Sequence, residues 1–167
     1  GFIKEVTDYS RNTRLDLTPT EANLYNLVQG VVQHLAYSIV NKRVQIDIDI
    51  EKDLIIQTDA SRLKVVINNL LSNAYKYHQF DKPNPYIKVS AKINSETVMI
   101  MIADNGEGIA PEHHVRIFEM FYRASESSEG SGLGLYIVKE TLAKLGGDIS
   151  VQSNRGEGTE FTVTLPV

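Results

Sequence analysis

The spacing of hydrophobic positions changes several times along the chain, and each change marks a predicted element. Apolar residues three or four positions apart predict amphipathic helices over residues 1–13, 21–40, 60–78, 110–120 and 134–145. Alternation or short apolar runs predict strands over residues 15–18, 43–50, 54–56, 86–93, 98–103, 148–153 and 160–165. Thr20 is the predicted N-cap of the second helix. The turn at 51–53 predicts that the two strands beside it pair with each other.

The order of these elements favours an α+β fold. Helices and strands alternate in blocks along the sequence. We therefore predict a two-layer α/β sandwich, in which a mixed, mostly antiparallel sheet is covered on one face by about three helices. The first helix, 1–13, is too short to be stable alone, and we expect it to pack on a segment that precedes this sequence.

Composition excludes several classes of function. The 167 residues suit one domain with a hydrophobic core. Lys and Arg number 17 against 21 Asp and Glu, and the net charge of −4 argues against a nucleic-acid-binding protein. The chain has no cysteine, so disulfides, thiolate metal sites and a cysteine nucleophile are excluded. Its apolar runs are shorter than a membrane span requires.

Three glycines at alternate positions, Gly130, Gly132 and Gly134, run directly into the last predicted helix. Glycine lets a ligand approach the main chain, and the first turn of a helix presents unpaired N–H groups, so this stretch predicts a seat for phosphate. An ordinary corner between two elements is the alternative. The small, polar and acidic residues over 122–132 indicate a mobile loop.

The helix 60–78 carries a polar line beside its apolar face. Asn69, Asn73 and Lys76 lie at i, i+4 and i+7, within about 60° of one another around the helix axis. A carboxamide oxygen is a suitable ligand for Mg²⁺, and an ammonium suits a phosphate. A solvated helix face is the alternative, although the residues flanking the asparagine pair are strongly apolar.

Two further segments carry candidate functional residues. Asp104 directly follows an apolar strand and precedes a glycine-containing turn, where its carboxylate can accept a hydrogen bond from an amino group of a flat ligand. An ordinary Asp/Asn-Gly turn is the alternative. Phe118 and Phe121 are interpreted as the end of a helix that anchors the following loop to the core. Arg123 is harder to explain in that way.

Five motifs occur in order, and together they resemble the N box, the F box and the three glycine boxes of the ATP-binding catalytic domain of sensor histidine kinases. This Bergerat-fold superfamily also includes DNA gyrase, Hsp90 and MutL. The P-loop signature is absent from the sequence. The motifs span about residues 59–162 and read Asn69-Leu-Leu-Ser-Asn73-Ala-Tyr-Lys76-Tyr77, Asp104-Asn-Gly106-Glu-Gly108-Ile109, Ile117-Phe118-Glu-Met-Phe121-Tyr-Arg123, Gly130-Ser-Gly132-Leu-Gly134-Leu135 and Gly156-Glu-Gly158-Thr159.

The resemblance implies Mg²⁺ and ATP as cofactors, and a role for each matching residue. Asn69 and Asn73 are implied as metal ligands, and Lys76 and Tyr77 as phosphate contacts. Asp104 is implied to accept the adenine amino group, in a pocket shaped by Gly106, Gly108, Ile109 and Thr159. The implied phosphate loop contains Gly130, Gly132, Leu133, Gly134 and Leu135. Residues 122–132 are implied as an ATP lid with Phe118 and Phe121 as its anchors, and Arg123 is implied to reach the γ-phosphate.

The implied activity is that of a protein-histidine kinase whose acceptor histidine lies elsewhere. His34, His78, His113 and His114 lack the acceptor context, and we interpret them as helix-surface or helix-end residues. Residues 1–13 would be the C-terminal end of a dimerisation and phosphoacceptor helix, and 14–167 the catalytic domain. The implied partners are that domain and a response regulator receiver domain. We expect a monomeric fragment of a homodimeric, membrane-anchored sensor, with this domain located in the cytoplasm and without direct contact to membrane or nucleic acid.

Two alternatives remain beside this interpretation. One is a degenerate nucleotide-binding or interaction module without phosphotransfer. The other is an anti-sigma-type serine kinase, against which the long entry segment 1–58 argues. ATPases of the superfamily use a glutamate, one turn before the metal asparagine, as general base for water, and Asn69 stands at that place. Because a carboxamide cannot take a proton from water at neutral pH, we predict negligible ATP hydrolysis.

Overall fold

The structure is a computed structural model that describes residues 2–14, 16–38, 44–78, 81–124 and 131–167. The helices are α1 (Phe2–Arg14), α2 (Leu24–Ser38), α3 (Ala60–Lys76) and α4 (Gly134–Lys144), with a short 3-10 helix at Pro111–His113. The strands are β1 (Thr20–Asn23), β2 (Gln45–Asp49), β3 (Ile55–Thr58), β4 (Tyr86–Ile93), β5 (Thr97–Asp104), β6 (Asp148–Asn154) and β7 (Gly158–Pro166).

The main sheet contains five strands in the order β2-β4-β5-β7-β6. β2 pairs with β4 in parallel, and the remaining pairs are antiparallel. Side chains alternate across a strand, so one face of β4, β5 and β7 is apolar and packs against α2, α3 and α4. The predicted α+β sandwich with a mixed, mostly antiparallel sheet is therefore confirmed. The buried residues of these three strands are Ile87, Val89, Val98, Ile100, Ile102, Phe161, Val163 and Leu165.

Helix α3 is the central helix of the layer and contacts both α2 and α4. Asp59 is its N-cap, and one carboxylate oxygen of Asp59 accepts the Arg62 N–H at 3.2 Å. The Arg62 guanidinium forms an ion pair with Asp59 at 2.5 Å, and both side chains are buried. Thr18 donates its backbone N–H to the same carboxylate at 3.0 Å, so this cluster also holds the chain that leads from α1.

The predicted strand at 15–18 is wrong for the described residues 16–18, which have no regular secondary structure. Backbone groups there bond to side chains, since Asp16 O accepts from Arg62 at 3.1 Å. The predicted N-cap at Thr20 is also wrong, because Thr20 begins β1. Asn23 caps α2 instead, with its Oδ1 accepting the Asn26 N–H at 2.9 Å.

The predicted pairing across the 51–53 turn is wrong. β3 pairs antiparallel with β1, in a separate two-stranded sheet, whereas β2 joins the main sheet beside β4. The predicted helix at 110–120 is replaced by Pro111–His113 and successive turns. Its apolar residues do not share one face, since Ile117 is buried while Val115 is 86% exposed, and a continuous helix would gain little burial there.

Candidate functional site

A cleft of about 390 Å³ opens between α3, the turn that follows β5 and the N-terminal end of α4. Its volume lies within the range of small-molecule sites. Side chains and glycine backbone both line it, from segments far apart in sequence. The predicted site residues in its lining are Asn69, Asn73, Lys76, Tyr77, Asp104, Gly108, Ile109, Arg123, Gly132, Gly134, Leu135 and Thr159.

Some predicted site residues lie outside the lining of the cleft. Phe118 supports it from behind, because its ring packs edge-on against Phe161, a lining residue, with 6.3 Å between the ring centroids. Gly106 lies in the turn below Asp104, and Leu133 is buried at the start of α4. Gly130 and most of the predicted lid, residues 125–130, lie outside the described residues.

Phe121 does not anchor the predicted lid through its side chain, which is 58% exposed, so that prediction is wrong. The contact is made by the main chain, since the Phe121 N–H donates to Gly132 O at 3.0 Å. Both residues have left-handed backbones, with φ of 64° at Phe121 and 76° at Gly132. A side chain on Gly132 would collide with the Phe121 backbone, so glycine is required at this close approach.

The polar line predicted on α3 faces the cleft. The Asn69 Nδ2 donates to Val65 O at 2.9 Å, and this bond assigns the orientation of the carboxamide. Its Oδ1 lies toward α4, where a Cβ built on Gly134 would be 3.2 Å away. Asn73 and Lys76 follow at one and nearly two turns along the same face, and Lys76 is exposed. The alternative interpretation of this line as a solvated helix face holds only in part for Lys76, because its exposed side chain also borders the cleft.

Asp104 ends β5, where it is paired in register with Thr159 of β7. Its Oδ1 accepts the Gly106 N–H at 2.8 Å. Burial raises the pKa of Asp104 above its usual range, although the Gly106 N–H, the neighbouring His78, the Thr159 N–H and the Lys82 ammonium all oppose this shift. The carboxylate is thus held in one rotamer in a poorly solvated place, as a specific hydrogen-bond acceptor requires.

The backbone around Asp104 depends on a close approach of two turns. Gly158 has φ of 102°, and a side chain on it would collide with Asp104 O. The Lys82 ammonium joins the same turns, since it donates to Gly156 O at 2.7 Å and to Gly106 O at 3.3 Å. Sequence reasoning missed Lys82, which precedes β4 in a loop and has no local signal.

Ser153 is a second residue that sequence reasoning missed. Its Oγ accepts the Ile109 N–H at 2.7 Å, donates to Gly158 O at 2.8 Å and lies 2.8 Å from the Thr159 Oγ1. Ser153 thereby fixes two lining residues, Ile109 and Thr159, relative to each other. Its alternation within β6 is ordinary, so only the fold reveals this role.

The segment after the 3-10 helix borders the opposite side of the cleft. Tyr122 lines it, and its hydroxyl lies 2.5 Å from the His113 Nδ1. The Arg116 guanidinium stacks over the Tyr122 ring, 4.5 Å from its centroid. These contacts hold the chain just before Arg123, an exposed lining residue. The sequence motif included Tyr122 but assigned it no role.

Helix α1 contributes to the cleft, which the sequence did not predict. Lys4 and Glu5 line it, and Glu5 accepts a hydrogen bond from the Ser131 hydroxyl. Tyr9 packs on Tyr136 of α4, with 5.8 Å between the ring centroids. Other apolar side chains of α1 stay uncovered, since Ile3 is 83% exposed.

The described part of the chain contains no group of three or more His, Cys, Asp or Glu side chains that could hold a metal ion. The Asn69 and Asn73 side chains place carboxamide oxygens, a ligand type that Mg²⁺ accepts, in the lining of the cleft. Among the same described residues, every helix is too short or too polar to cross a bilayer.

Comparison with known proteins agrees with this geometry. The family model described as "Histidine kinase-, DNA gyrase B-, and HSP90-like ATPase" matches residues 58–167. The mycobacterial sensor histidine kinase MprB is similar in structure, with a TM-score of 0.76, 25% identity, and coverage of 89% of this chain and 97% of that one. Full-length ShkA in complex with AMPPNP is also similar, with a TM-score of 0.83, 27% identity, and coverage of 98% of this chain and 35% of that one.

Sequence relatives point the same way. The methanogenesis regulatory histidine kinase FilI of Methanothrix harundinacea is 30% identical over 165 residues, which is 99% of this chain and 18% of the relative. Sensor protein SrrB of Staphylococcus aureus is 38% identical over 112 residues, which is 65% of this chain and 19% of the relative. The chain thus spans less than a third of the relatives it matches.

The chain belongs to the histidine kinase-, DNA gyrase B- and HSP90-like ATPase family, as a catalytic domain of the sensor histidine kinase type. The resemblance found in its five sequence motifs is confirmed by this match.

Proposed function

We propose that this domain binds Mg²⁺-ATP and donates the γ-phosphate to a histidine on a separate dimerisation and phosphoacceptor domain of a sensor histidine kinase. One observation carries the proposal: a half-buried acceptor, Asp104, and a phosphate-compatible line, Asn69–Asn73–Lys76, border the same cleft. Family membership supports ATP as the ligand.

Asp104 is proposed to accept the adenine amino group. The carboxylate accepts the N–H groups of Gly106 and Thr159, and its two oxygens have lone pairs left for a ligand. Gly108, Ile109 and Thr159 border the same part of the cleft and would lie against the base. Guanine presents a carbonyl where adenine has its amino group, and two acceptors facing each other would exclude it.

The phosphates are proposed to lie between α3 and the start of α4. Asn69 and Asn73 would hold Mg²⁺ with the phosphate oxygens, and the cation would neutralise charge during transfer. Leu133, the N-cap of α4, makes no side-chain cap hydrogen bond, so the first N–H groups of this helix can serve a phosphate. Gly132, Gly134 and Leu135 would contribute that backbone, with Gly130 beyond the described residues.

Charged side chains complete the proposed phosphate site. Lys76 would contact the phosphates together with Tyr77, and Arg123 would reach the γ-phosphate. Phosphoryl transfer needs positioning and charge neutralisation more than covalent help, so these residues suffice on the donor side. Asn69 in place of a basic carboxylate would keep water from being activated, and ATP would be conserved for the histidine.

The acceptor histidine is proposed to lie on a dimerisation domain, of which residues 1–13 would be the C-terminal end. Residues 14–167 would be the catalytic domain, monomeric alone and homodimeric in the whole protein. A response regulator receiver domain would take the phosphoryl group onward. By analogy with the sensor kinases it resembles, the domain would work in the cytoplasm, without direct contact to membrane or nucleic acid.

Binding of a non-hydrolysable ATP analogue with and without Mg²⁺ tests the proposal. We expect Mg²⁺-dependent binding that is abolished by Asn73→Asp, weakened by Asp104→Ala and kept by the control Asp49→Ala on an exposed strand edge. Absence of binding at millimolar nucleotide would refute the assignment.

Transfer is tested by adding the dimerisation domain and labelled ATP. An acid-labile label on that domain is expected, since phosphohistidine is acid-labile. An acid-stable label would indicate the serine kinase alternative, and binding without transfer would indicate a nucleotide-binding module. Steady-state ATP hydrolysis that disappears on Asn69→Ala would contradict the role of Asn69.

A further inference from the structure

His78 lies just beyond the C-terminal end of α3 and is only 7% exposed. It follows Lys76 and Tyr77, the proposed phosphate contacts, and it neighbours the turn that carries Asp104. His78 therefore lies between the proposed phosphate contacts at the end of α3 and the turn that carries Asp104. None of the roles implied by the sequence motifs includes it.

The hydrogen bonds around the ring assign its tautomer. The His78 Nε2 lies 3.0 Å from the Asn105 Oδ1 and 3.1 Å from Tyr86 O. Asn105 is oriented by two other bonds, because its Oδ1 accepts the Tyr86 N–H at 2.8 Å and its Nδ2 donates to Asn84 O at 2.9 Å. Both atoms that face Nε2 are therefore acceptors, and Nε2 must carry the proton.

The main chain joins the same two segments. The Glu107 N–H donates to Tyr77 O at 3.1 Å. A Cβ on Gly106 would lie 2.9 Å from Tyr77 O and 3.1 Å from the His78 Cα, so the turn rests directly on the end of α3. Gly106 in turn donates the N–H that fixes the Asp104 carboxylate. A shift of Asn105 or Gly106 would therefore move Asp104.

We propose that His78 is a positioning residue that sets adenine selectivity, because its Nε2–H bond to Asn105 holds the turn that orients the Asp104 carboxylate. This inference rests on the proposed ATP-binding function. His78 touches no ligand in this scheme and acts through Asn105 and Asp104. It also ties the base side of the cleft to the phosphate contacts at the end of α3.

A matched pair of substitutions tests the proposal. Gln places an N–H donor at about the reach of the imidazole Nε2, whereas Met has similar length and no donor. We expect His78→Met to lower the ratio of ATP to inosine triphosphate affinity about tenfold, because inosine carries a carbonyl where adenine has its amino group. His78→Gln is expected to keep that ratio within about threefold.

The loss of selectivity caused by His78→Met should depend on Asp104. In an Asp104→Asn background we expect His78→Met to change the ratio by less than about twofold, since coupled residues give non-additive effects. Equal losses of ATP and inosine triphosphate binding in His78→Met, or an undiminished loss in the Asp104→Asn background, would show that His78 is merely structural. Failure of Gln to rescue would also overturn the proposal.

Two measurements keep the proposal testable if His78→Met does not fold. Asn105→Ala removes the acceptor of the His78 Nε2–H and should lower the ratio of ATP to inosine triphosphate affinity in the same direction. Nitrogen-15 NMR of the unmodified chain should show a proton on the His78 Nε2, and an unprotonated Nε2 would overturn the assignment. If the unmodified chain binds no ATP, the proposed function fails. If it binds ATP but the selectivity ratios do not change as expected, only the role of His78 fails.

Discussion

The two sides of the cleft are built in different ways. On the base side, Asp104 and Thr159 are held by bonds within the protein, from Gly106 and Ser153, and Lys82 joins the turns behind them. On the phosphate side, the side chains of Lys76, Phe121 and Arg123 are exposed. Under the proposed function, the base side would therefore be formed before a ligand arrives, whereas Lys76 and Arg123 on the phosphate side could still adjust to one.

Removing the acceptor on the base side should have the largest effect. Asp104→Ala is expected to abolish discrimination between ATP and GTP, which polar matching can raise to about 10⁴-fold. Affinities of both nucleotides, measured by calorimetry, check this. Glu107→Ala is the matched control, because Glu107 lines the same turn but is exposed. Equal affinity of the unmodified chain for ATP and GTP would contradict the assignment of Asp104.

The second effect sharpens the comparison, because it should change stability without changing base selectivity. Asp59→Ala leaves the buried Arg62 without its carboxylate and removes the cap of α3. We expect a loss of about 3–5 kcal/mol in the free energy of unfolding, measured by denaturant titration. Asp49→Ala, which removes an exposed pair with Lys88, should cost less than about 1 kcal/mol. Equal costs for the two variants would refute the importance of the buried pair.

The same cluster predicts a pH dependence of stability. Burial alone would raise the pKa of Asp59, but hydrogen bonds from Thr18, Ser61 and Arg62 lower the pKa from 3.8 to about 2. A carboxyl with a depressed folded-state pKa stabilises the fold above its unfolded value and loses that contribution as pH falls through the folded value. Between pH 5 and 2, unmodified chain should lose about 2 kcal/mol more stability than Asp59→Asn. Parallel pH profiles would contradict this.

The smallest effects are expected from the same lysine-to-methionine substitution made once on each side of the cleft. Lys76→Met removes a phosphate charge and should weaken ATP and GTP about equally, by roughly tenfold, and more at low salt. Lys82→Met removes the bridge between Gly106 and Gly156 and should lower the ATP to GTP affinity ratio by about threefold. If Lys76→Met changed selectivity and Lys82→Met did not, the division of the cleft into two sides would be wrong.

The sequence predicted the four α-helices and the β4–β5 and β6–β7 strands well, because their periodicity is strong and each of these strand pairs is adjacent in sequence. It failed for the pairing of β3, whose partner residues in β1 lie 32 to 38 positions earlier along the chain. It also failed at 110–120, where packing of Ile117 and Phe118 on the core replaces a regular helix with turns.

Residues that line the cleft were predicted from the sequence where residue type is itself informative. Two asparagines beside a lysine on an apolar helix, and an aspartate at a strand end, are costly in a core and therefore indicate a site. His78, Lys82 and Ser153 gave no such signal, because only the fold brings each of them near the groups that it contacts. Glu5 was missed for the same reason, since it contacts Ser131, which lies 126 positions away in the sequence.

The bond between Phe121 and Gly132 has a consequence for how such domains diversify. It fixes the two ends of the intervening segment to each other, independently of what lies between them. Closing a longer chain between fixed ends costs little, roughly 0.6 kcal/mol for each doubling of length. The length of the chain between these two ends can therefore change at little cost in stability. A change of its length would leave the bond between Phe121 and Gly132, a residue that lines the cleft, in place.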